Sequence, residues 1–266
     1  MTNINKKCND LSGKEWLQNS FSIWRGLFKT KEEKDLKHPA SFPVSLCEKL
    51  LKTFSKSGGN VLDPFNGIGS SMVAANNLGY SGVGIDLSEE YCKIAEKRIN
   101  NCNNIQIING DSFEEIEKLP ENHFDICITS PPYWDVLNMK RSADRKKTVN
   151  YSDSNNDLGN MQNYNDFITA LGDLFLKIKK TLKPNRYCII NVMDLRKKSQ
   201  FYPLHSDLAA EIQRIGYVYD DLIIWDRQQE YNNMRPLGYP YKYRINKVHE
   251  YLLIFINNIK GEYYGA

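Results

Sequence analysis

The sequence predicts an α/β protein in which one mostly parallel sheet is covered by helices on both faces. Two observations predict this class. Short apolar runs alternate along the chain with amphipathic segments of helical periodicity. The chain has 266 residues, 41% of them hydrophobic and 25% charged, which suits one sizeable domain with its own core. We therefore expect a single domain over residues 1–266, with a helical segment at 1–58.

The individual elements follow from the same alternation. Predicted strands lie at 60–64, 81–86, 105–110, 124–130, 186–193, 217–226 and 248–256, and the last two favour a hairpin-like edge. Pro43 can begin a helix that ends before Gly58, and Ser88 is a candidate N-cap for the helix that follows the second strand. Further predicted helices lie at 70–79, 165–184 and 205–216.

Composition excludes several classes of protein. No stretch approaches the roughly 20 apolar residues of a membrane span, and the N-terminus has no apolar signal-peptide core, so we expect a soluble, cytoplasmic protein. The six cysteines lie far apart without a CxxC pair, which indicates reduced core thiols rather than a zinc site or disulfides. The net charge of +3 does not by itself indicate a nucleic-acid partner.

A glycine loop and two acids follow the first three strands of this alternation. Gly67 and Gly69 come directly after the first strand, Asp86 ends the second, and Asp111 follows the third. Such strand ends meet at one edge of a parallel sheet, where a carboxylate can accept hydrogen bonds from a ribose. The pattern indicates a nucleoside-containing cofactor. Both acids could instead be helix caps, and that alternative stays open.

The segment "TSPPYW" at 129–134 ends the fourth strand with two prolines. Proline cannot continue a ladder, so a plain strand stop is one interpretation. The other is chemical: a rigid turn can hold the Ser130 hydroxyl and the Pro131 carbonyl as two acceptors for a planar ring that carries an amino group. Trp134 could line the same pocket or belong to the core.

These motifs resemble those of the S-adenosylmethionine-dependent DNA amino-methyltransferases, which methylate N4 of cytosine or N6 of adenine. "DPFNGIGS" at 63–70 is similar to the cofactor motif of that family, and "TSPPYW" is similar to its catalytic motif. Further motifs of the family are similar to three other segments, "HPASFP", "GIDLSEEYCKIAEKRI" and "VHEYLLIF". The resemblance covers roughly residues 20–258. It implies a Rossmann-like class I methyltransferase fold, with a seven-stranded sheet whose last strand is antiparallel.

The resemblance also implies S-adenosyl-L-methionine as cofactor and a role for single residues. Ser130 and Pro131 would accept the amino hydrogens, Pro132 would stiffen the turn, and Tyr133 would stack on a base flipped out of the duplex. Positioning would do most of the catalytic work. The residues implied for the cofactor are His38, Pro39, Phe42, Asp63, Phe65, Gly67, Gly69, Asp86, Asp111 and Ser112.

The partner implied is double-stranded DNA, together with a cognate restriction endonuclease. In the family, serine at the first catalytic position with threonine before it usually accompanies N4 of cytosine, which is therefore favoured over N6 of adenine; an RNA base is a further alternative. We expect no separate target-recognition domain, so loops 138–163 and 227–247 should face the nucleic acid. Their candidate contacts are Lys140, Arg141, Arg145, Lys146, Lys147, Arg227, Arg235 and Arg244, although each could equally be an ordinary surface residue.

Overall fold

The computed structural model describes residues 7–36, 41–100, 102–134, 158–231, 234 and 236–258. Several residues that the sequence singles out lie outside these ranges, so the expectations for them stay predictions. They are His38, Pro39, Lys140, Arg141, Arg145, Lys146, Lys147 and Arg235.

Helices and strands alternate along most of the described chain. The helices are α1 Gly13–Asn19, α2 Lys31–Asp35, α3 Val44–Phe54, α4 Ser70–Asn77, α5 Glu89–Arg98, α6 Ser112–Glu115, α7 Tyr164–Thr181 and α8 Leu204–Arg214. The strands are β1 Ile23–Trp24, β2 Asn60–Asp63, β3 Ser81–Asp86, β4 Ile105–Asn109, β5 Phe124–Thr129, β6 Leu182–Val192, β7 Leu195–Lys197, β8 Gln200–Tyr202, β9 Val218–Asp226 and β10 His249–Ile256.

Among the described residues, eight strands form one sheet in the order β1-β9-β10-β6-β5-β2-β3-β4. Strand β10 is antiparallel to β6 and β9, and the other neighbouring pairs are parallel. The predicted fold class, a mostly parallel sheet with an antiparallel last strand, is confirmed. Because β2 to β6 run parallel, their carboxyl ends meet at one edge of the sheet.

Side chains of the central strands alternate between two hydrophobic cores, one on each face of the sheet. In β5, Ile126 and Ile128 belong to the core that includes Leu50 of α3. Cys127, which lies between them, belongs to the core that includes Phe175 of α7. Helices therefore cover both faces, as the apolar runs of the sequence predicted.

Local chemistry sets where the helices begin. Ser88 is the N-cap of α5, where its hydroxyl accepts a hydrogen bond from the backbone N–H of Tyr91. Pro43 occupies the N-cap position of α3, as expected. Across the described ranges, no helix combines the length and the apolar composition that crossing a membrane requires.

Three elements differ from the expected ones. The two-residue strand β1 pairs with β9 and gives the sheet eight strands where seven were predicted. A small hairpin, β7 with β8, follows β6. The predicted helix at 165–184 ends at Thr181, and Pro184 lies inside β6, beside an irregularity in the register between Phe124 and Ile126 of β5. Proline is tolerated there because the ladder is already interrupted.

The cysteines are free thiols, and Cys47, Cys92, Cys127 and Cys188 are buried. Burial raises the pKa of the Cys92 thiol to about 12, so this thiol stays protonated. The predicted placement of cysteines in the core is confirmed for these four. Within the ranges that the structure covers, no group of three His, Cys, Asp or Glu residues is placed to hold a metal ion.

Candidate active site

The carboxyl edge of the sheet carries a cavity of about 960 Å³, measured together with the space at its mouth. The lining comes from the ends of β2 to β5 and from the segment before α3. The residues are Ser41, Phe42, Pro64, Phe65, Asn66, Gly67, Ser70, Asp86, Leu87, Ser88, Asp111, Ser112, Phe113, Ser130, Pro131, Pro132, Tyr133 and Leu158.

Asp63 lies beneath this cavity rather than in its lining. Its fully buried carboxylate accepts hydrogen bonds from the hydroxyls of Ser71 and Thr129, the latter at 2.6 Å, and from the N–H of Phe65 at 3.0 Å. Desolvation by burial raises the pKa of Asp63 to about 6. The residue thus joins β2, β5 and α4 below the loop, whereas the sequence assigned it to the cofactor.

The loop after β2 is aligned by Asp86 at the end of β3. One carboxylate oxygen of Asp86 accepts the N–H of Gly67 at 2.6 Å, and the other accepts the N–H of Ser88 at 2.9 Å. The N–H of Asn66 also donates to the carbonyl of Ile85 at 2.9 Å. These bonds hold the loop against β3, and Asp86 and Gly67 both line the cavity.

Gly69 has a packing role at the start of α4. Its φ of +80° is the left-handed region, and a Cβ at this position would lie 2.7 Å from the Cβ of Ala95 on α5. Gly69 is absent from the cavity lining, although the sequence analysis placed it at the cofactor. The glycine therefore lets α4 and α5 approach beside the site.

Asp111 and Ser112 line the cavity beyond the end of β4. The carboxylate of Asp111 caps α6 by accepting the N–H of Phe113 at 2.9 Å. The hydroxyl of Ser112 donates to the carbonyl of Pro64 at 2.5 Å, which ties this turn to the loop after β2. Asp111 can therefore cap α6 and face the cofactor at the same time.

The turn Ser130-Pro131-Pro132-Tyr133 lines the same cavity. Tyr133 is buried, and its hydroxyl donates to a carboxylate oxygen of Glu250 on β10 at 2.8 Å. The Tyr133 hydroxyl lies 3.5 Å from the hydroxyl oxygen of Ser130. The turn is therefore fixed by a hydrogen bond to β10 as well as by its prolines.

Glu250 is the centre of a buried polar cluster that the sequence analysis missed. It is 4% exposed, accepts a hydrogen bond from the amide of Asn191 at 2.6 Å, and forms an ion pair with Arg227. Arg227 pairs in addition with Glu230 at 2.8 Å. A single acid within the apolar run "VHEYLLIF" is the signal that could have indicated it.

Arg227 differs from the expectation that it contacts DNA. Its side chain is 17% exposed, and its guanidinium lies 4.7 Å from the ring centre of Trp225 while it pairs with Glu250. The nearby negative charge of Glu250 helps to raise the pKa of Arg227 above its ordinary value despite burial, so the cation is permanent. Arg227 belongs to the interior. Arg244, the other described candidate, is half-buried.

Trp134 belongs to the core. It is 4% exposed, its indole N–H donates to the carbonyl of Met161 at 2.7 Å, and its ring packs against Tyr164 and Tyr202 with centre distances of 5.3 and 5.1 Å. Trp134 is not part of the cavity lining. Of the two alternatives that the sequence left open, the structure therefore favours the core.

The lining suits a nucleoside cofactor. The carboxylates of Asp86 and Asp111 can accept hydrogen bonds from ribose hydroxyls and from an amino group. The aromatic rings of Phe42, Phe65 and Phe113 offer apolar surface for a flat purine ring. These residues fit S-adenosyl-L-methionine.

Two family models match the chain. One, described as "DNA methylase", matches residues 2–97 and 124–264, which is more than half of the sequence. The chain belongs to the DNA methylase family. The other, described as "Methyltransferase domain", matches residues 62–142 of the chain. Together with the fold, these matches confirm the cofactor predicted from the sequence, S-adenosyl-L-methionine.

Curated relatives match this chain over shorter segments. The Type II methyltransferase M2.LlaDCHI of Lactococcus lactis subsp. cremoris is 40% identical over 79 residues, which is 29% of each chain. The Type II methyltransferase M2.DpnII of Streptococcus pneumoniae is 42% identical over 78 residues, again 29% of each chain. The matches thus span less than a third of the length of these two relatives.

A solved structure supports the fold alone. A SAM-dependent O-methyltransferase from Thermotoga maritima superposes with a TM-score of 0.51 and 12% sequence identity, over 87% of this chain and 72% of that one. The Rossmann-like methyltransferase fold predicted from the sequence is therefore confirmed.

Proposed function

We propose that this protein methylates the exocyclic amino group of a base in double-stranded DNA. The observation that carries the proposal is one cavity in which Asp86 and Asp111 lie together with the turn from Ser130 to Tyr133. A site for a nucleoside cofactor and a pair of acceptors for an amino group thus share the same enclosed space. The Type II methyltransferase names of the relatives favour DNA over RNA as the polymer.

When bound, S-adenosyl-L-methionine supplies an electrophilic methyl group. Ser130 and Pro131 provide the acceptors for the two amino hydrogens of the target base. Because the hydroxyl proton of Tyr133 is used on Glu250, Ser130 is the donor in the 3.5 Å contact between the two hydroxyls. The lone pairs of Ser130 then remain available to the substrate.

We place N4 of cytosine first among the target atoms. The position that carries a carboxylate in adenine enzymes of the resembled family is Ser130 here. The preceding residue, Thr129, donates to Asp63 and is fully buried, so it supports the turn from below and leaves the amino group to Ser130. A base is reached only after it leaves the duplex stack, and Tyr133 lines the cavity that would receive it.

The Type II names of the relatives also support a site-specific modification enzyme paired with a cognate restriction endonuclease. A chromosomal DNA substrate implies that the protein acts in the cytoplasm. Both statements are part of the proposal.

Methyl transfer from labelled S-adenosyl-L-methionine to unmodified genomic DNA tests this function. After digestion to nucleosides, we expect the label in N4-methylcytosine. Label in N6-methyladenine would support methyl transfer to an exocyclic amino group and contradict N4 of cytosine as the target atom. Label that enters RNA incubated in parallel, and never DNA, would overturn the proposal.

Ser130→Ala tests the role of the turn. Loss of one of two acceptors misplaces the amino group, so we expect kcat to fall about a hundredfold, with S-adenosyl-L-methionine binding by calorimetry unchanged. Ser20→Ala removes a hydroxyl from an exposed serine before β1, at the opposite edge of the sheet, and is the matched control. Equal kcat values for the two variants would contradict the assignment of Ser130.

A further inference from the structure

Two elements beside the cavity form a surface that we call the basic aromatic surface: the β7–β8 hairpin (residues 195–202) and residues 236–247. The hairpin follows β6 at its carboxyl end, and residues 236–247 belong to the connection that follows β9 at its carboxyl end. Both strands run parallel to β5, which carries the catalytic turn. The surface and the cavity therefore lie at the same edge of the sheet.

The charge of this surface has one sign. Neither segment contains an aspartate or a glutamate. The acid just before the hairpin, Asp194, is buried and bonded to His205 at 2.6 Å, so it does not offset the exposed cations. The exposed cations of the two segments are Arg196, Lys198 and Lys242, and three further cations, Lys197, Arg244 and Lys247, are half-buried.

Large aromatic side chains stand in solvent among these cations. Tyr241 and Tyr243 are each 94% exposed, and Tyr239 is 78% exposed. Phe201 at the hairpin is also exposed. Several large exposed aromatic side chains within two neighbouring segments are typical of an interaction surface.

Side-chain contacts join the two segments to each other and to the site. The ring of Phe201 has Arg196 of the hairpin 5.4 Å away on one side and Lys247 of the other segment 4.9 Å away. The ammonium of Lys197 lies 4.0 Å from the ring centre of Trp134, the residue after Tyr133. The surface is thus continuous up to the end of the catalytic turn.

The distances across the sheet suit one nucleic-acid duplex. Strand β9 lies three positions from β5 in the sheet, about 14 Å at the usual spacing between strands. One turn of B-DNA is about 34 Å long. A duplex whose base enters the cavity would therefore cover both segments within half a turn.

We propose that the basic aromatic surface holds the DNA duplex during methylation, with its cations on the phosphates and with Tyr241 and Tyr243 stacked on bases exposed when the target base leaves the stack. This inference rests on the proposed function. Clustered cations without acids are the footprint of a polyanion, and aromatic faces stack on any base. A surface that binds another protein would not need charged side chains of only one sign.

Binding to a duplex of random sequence tests the cations without any turnover. Lys198→Gln/Lys242→Gln removes one exposed charge from each segment. We expect the slope of log K against log salt concentration to become shallower by about 1.8, two phosphate contacts at roughly 0.9 each. Lys52→Gln/Lys180→Gln removes two exposed charges from the last turns of α3 and α7, at the opposite edge, and should keep the wild-type slope.

Tyrosine variants test the stacking. We expect Tyr241→Ala/Tyr243→Ala to weaken binding to a duplex with one unpaired base, in which neighbouring bases are exposed, about tenfold. Tyr241→Phe/Tyr243→Phe, which retains the rings, should bind this duplex like wild type. In methylation assays both the glutamine pair and the alanine pair should raise KM for DNA and leave kcat unchanged.

The two proposals can fail separately. If the variants show the predicted slope changes on duplex DNA but the wild-type protein never methylates DNA, the proposed function is overturned and the assignment of the surface stands. A wild-type protein that methylates DNA while all the variants keep its slope, affinity and KM would overturn the surface alone, and a protein or second copy of this chain would then be its partner.

Discussion

Glu250 shows how one buried carboxylate fixes the catalytic turn. It accepts the hydroxyl of Tyr133 and the amide of Asn191, and Arg227 supplies the counter-charge. Burial and the charge of Glu250 raise the pKa of Tyr133 well above its ordinary value, so Tyr133 remains a donor across the usual pH range. A buried charge held in this way fixes the geometry only as long as its partners are complete.

Replacing Glu250 by glutamine keeps the shape and removes the charge. We expect Glu250→Gln to lose about 3 kcal/mol of unfolding free energy, because Arg227 then stays buried without its main counter-charge. Urea denaturation at pH 7 measures this loss. Glu117→Gln, which breaks an exposed ion pair with Lys177, should be within error of wild type.

The double variant Glu250→Gln/Arg227→Gln separates charge from packing. Removing both charges leaves no uncompensated cation, so part of the lost stability should return. If the double variant loses as much unfolding free energy as Glu250→Gln and Arg227→Gln lose together, an ion pair between these residues is contradicted.

Residues at strand ends were predictable, and this cluster was not. Asp86, Asp111 and Ser130 follow strands, and parallel strands bring their ends together whatever the side chains do. Tyr133 and Glu250 are 117 residues apart, and their contact depends on β10 inserting between β6 and β9. The pairing of Arg227 with Glu250 was not predicted either, because a polar loop gives no signal that one of its cations turns inward.

At the scale of elements, the closeness of α4 and α5 depends on Gly69. A methyl group there would meet Ala95 at 2.7 Å, and the residue needs a φ of +80°. Gly79 has a similar φ of +73°, but a Cβ there would meet nothing within 4 Å. The two glycines share backbone strain and differ in packing.

Gly69→Ala and Gly79→Ala therefore separate these two effects. We expect Gly79→Ala to lose about 1 kcal/mol of unfolding free energy, the cost of a left-handed residue with a side chain. Gly69→Ala should lose about 2 kcal/mol more, because α4 and α5 must also move apart. Urea unfolding measures both, and equal losses would contradict the packing role.

The elements that the sequence missed are the short ones. Strand β1 has two residues, and its place depends on pairing of Ile23 and Trp24 with β9 rather than on any apolar alternation. The three-residue strands of the β7–β8 hairpin carry mainly polar side chains, so no buried face appears in their pattern. The longer strands, each with an alternating or wholly apolar face, were predicted to within a few residues.

At the scale of the whole molecule, Asp63 connects the core to the site. Its carboxylate lies at the carboxyl end of β2, where it joins β2 to β5 and to α4 directly below the cavity. The loop that lines the cofactor site and the turn that carries Ser130 therefore share one buried group. A change in the ionisation of Asp63 therefore affects folding stability as well as the site.

The pH dependence of stability follows from this placement. Burial raises the pKa of Asp63 to about 6 from 3.8, so between these values the folded protein binds more protons than the unfolded chain. The contribution of Asp63 to stability is then largest below about pH 4 and falls as pH rises to 6, by about 3 kcal/mol for two units. Urea unfolding of wild type and Asp63→Asn from pH 4 to 7 isolates this contribution as the difference between the two proteins.

We expect that difference to fall between pH 4 and 6 and to be flat above pH 7. The pH dependence expected for Asp10 has the opposite sign, because hydrogen bonds from Ser57 lower the pKa of its exposed carboxylate. The difference between wild type and Asp10→Asn should therefore rise, if it changes at all, as pH increases from acid values. A flat Asp63 difference across the whole range would mean that hydrogen bonds from Ser71, Thr129 and Phe65 fully offset desolvation, so that Asp63 has the same pKa in the folded and the unfolded protein.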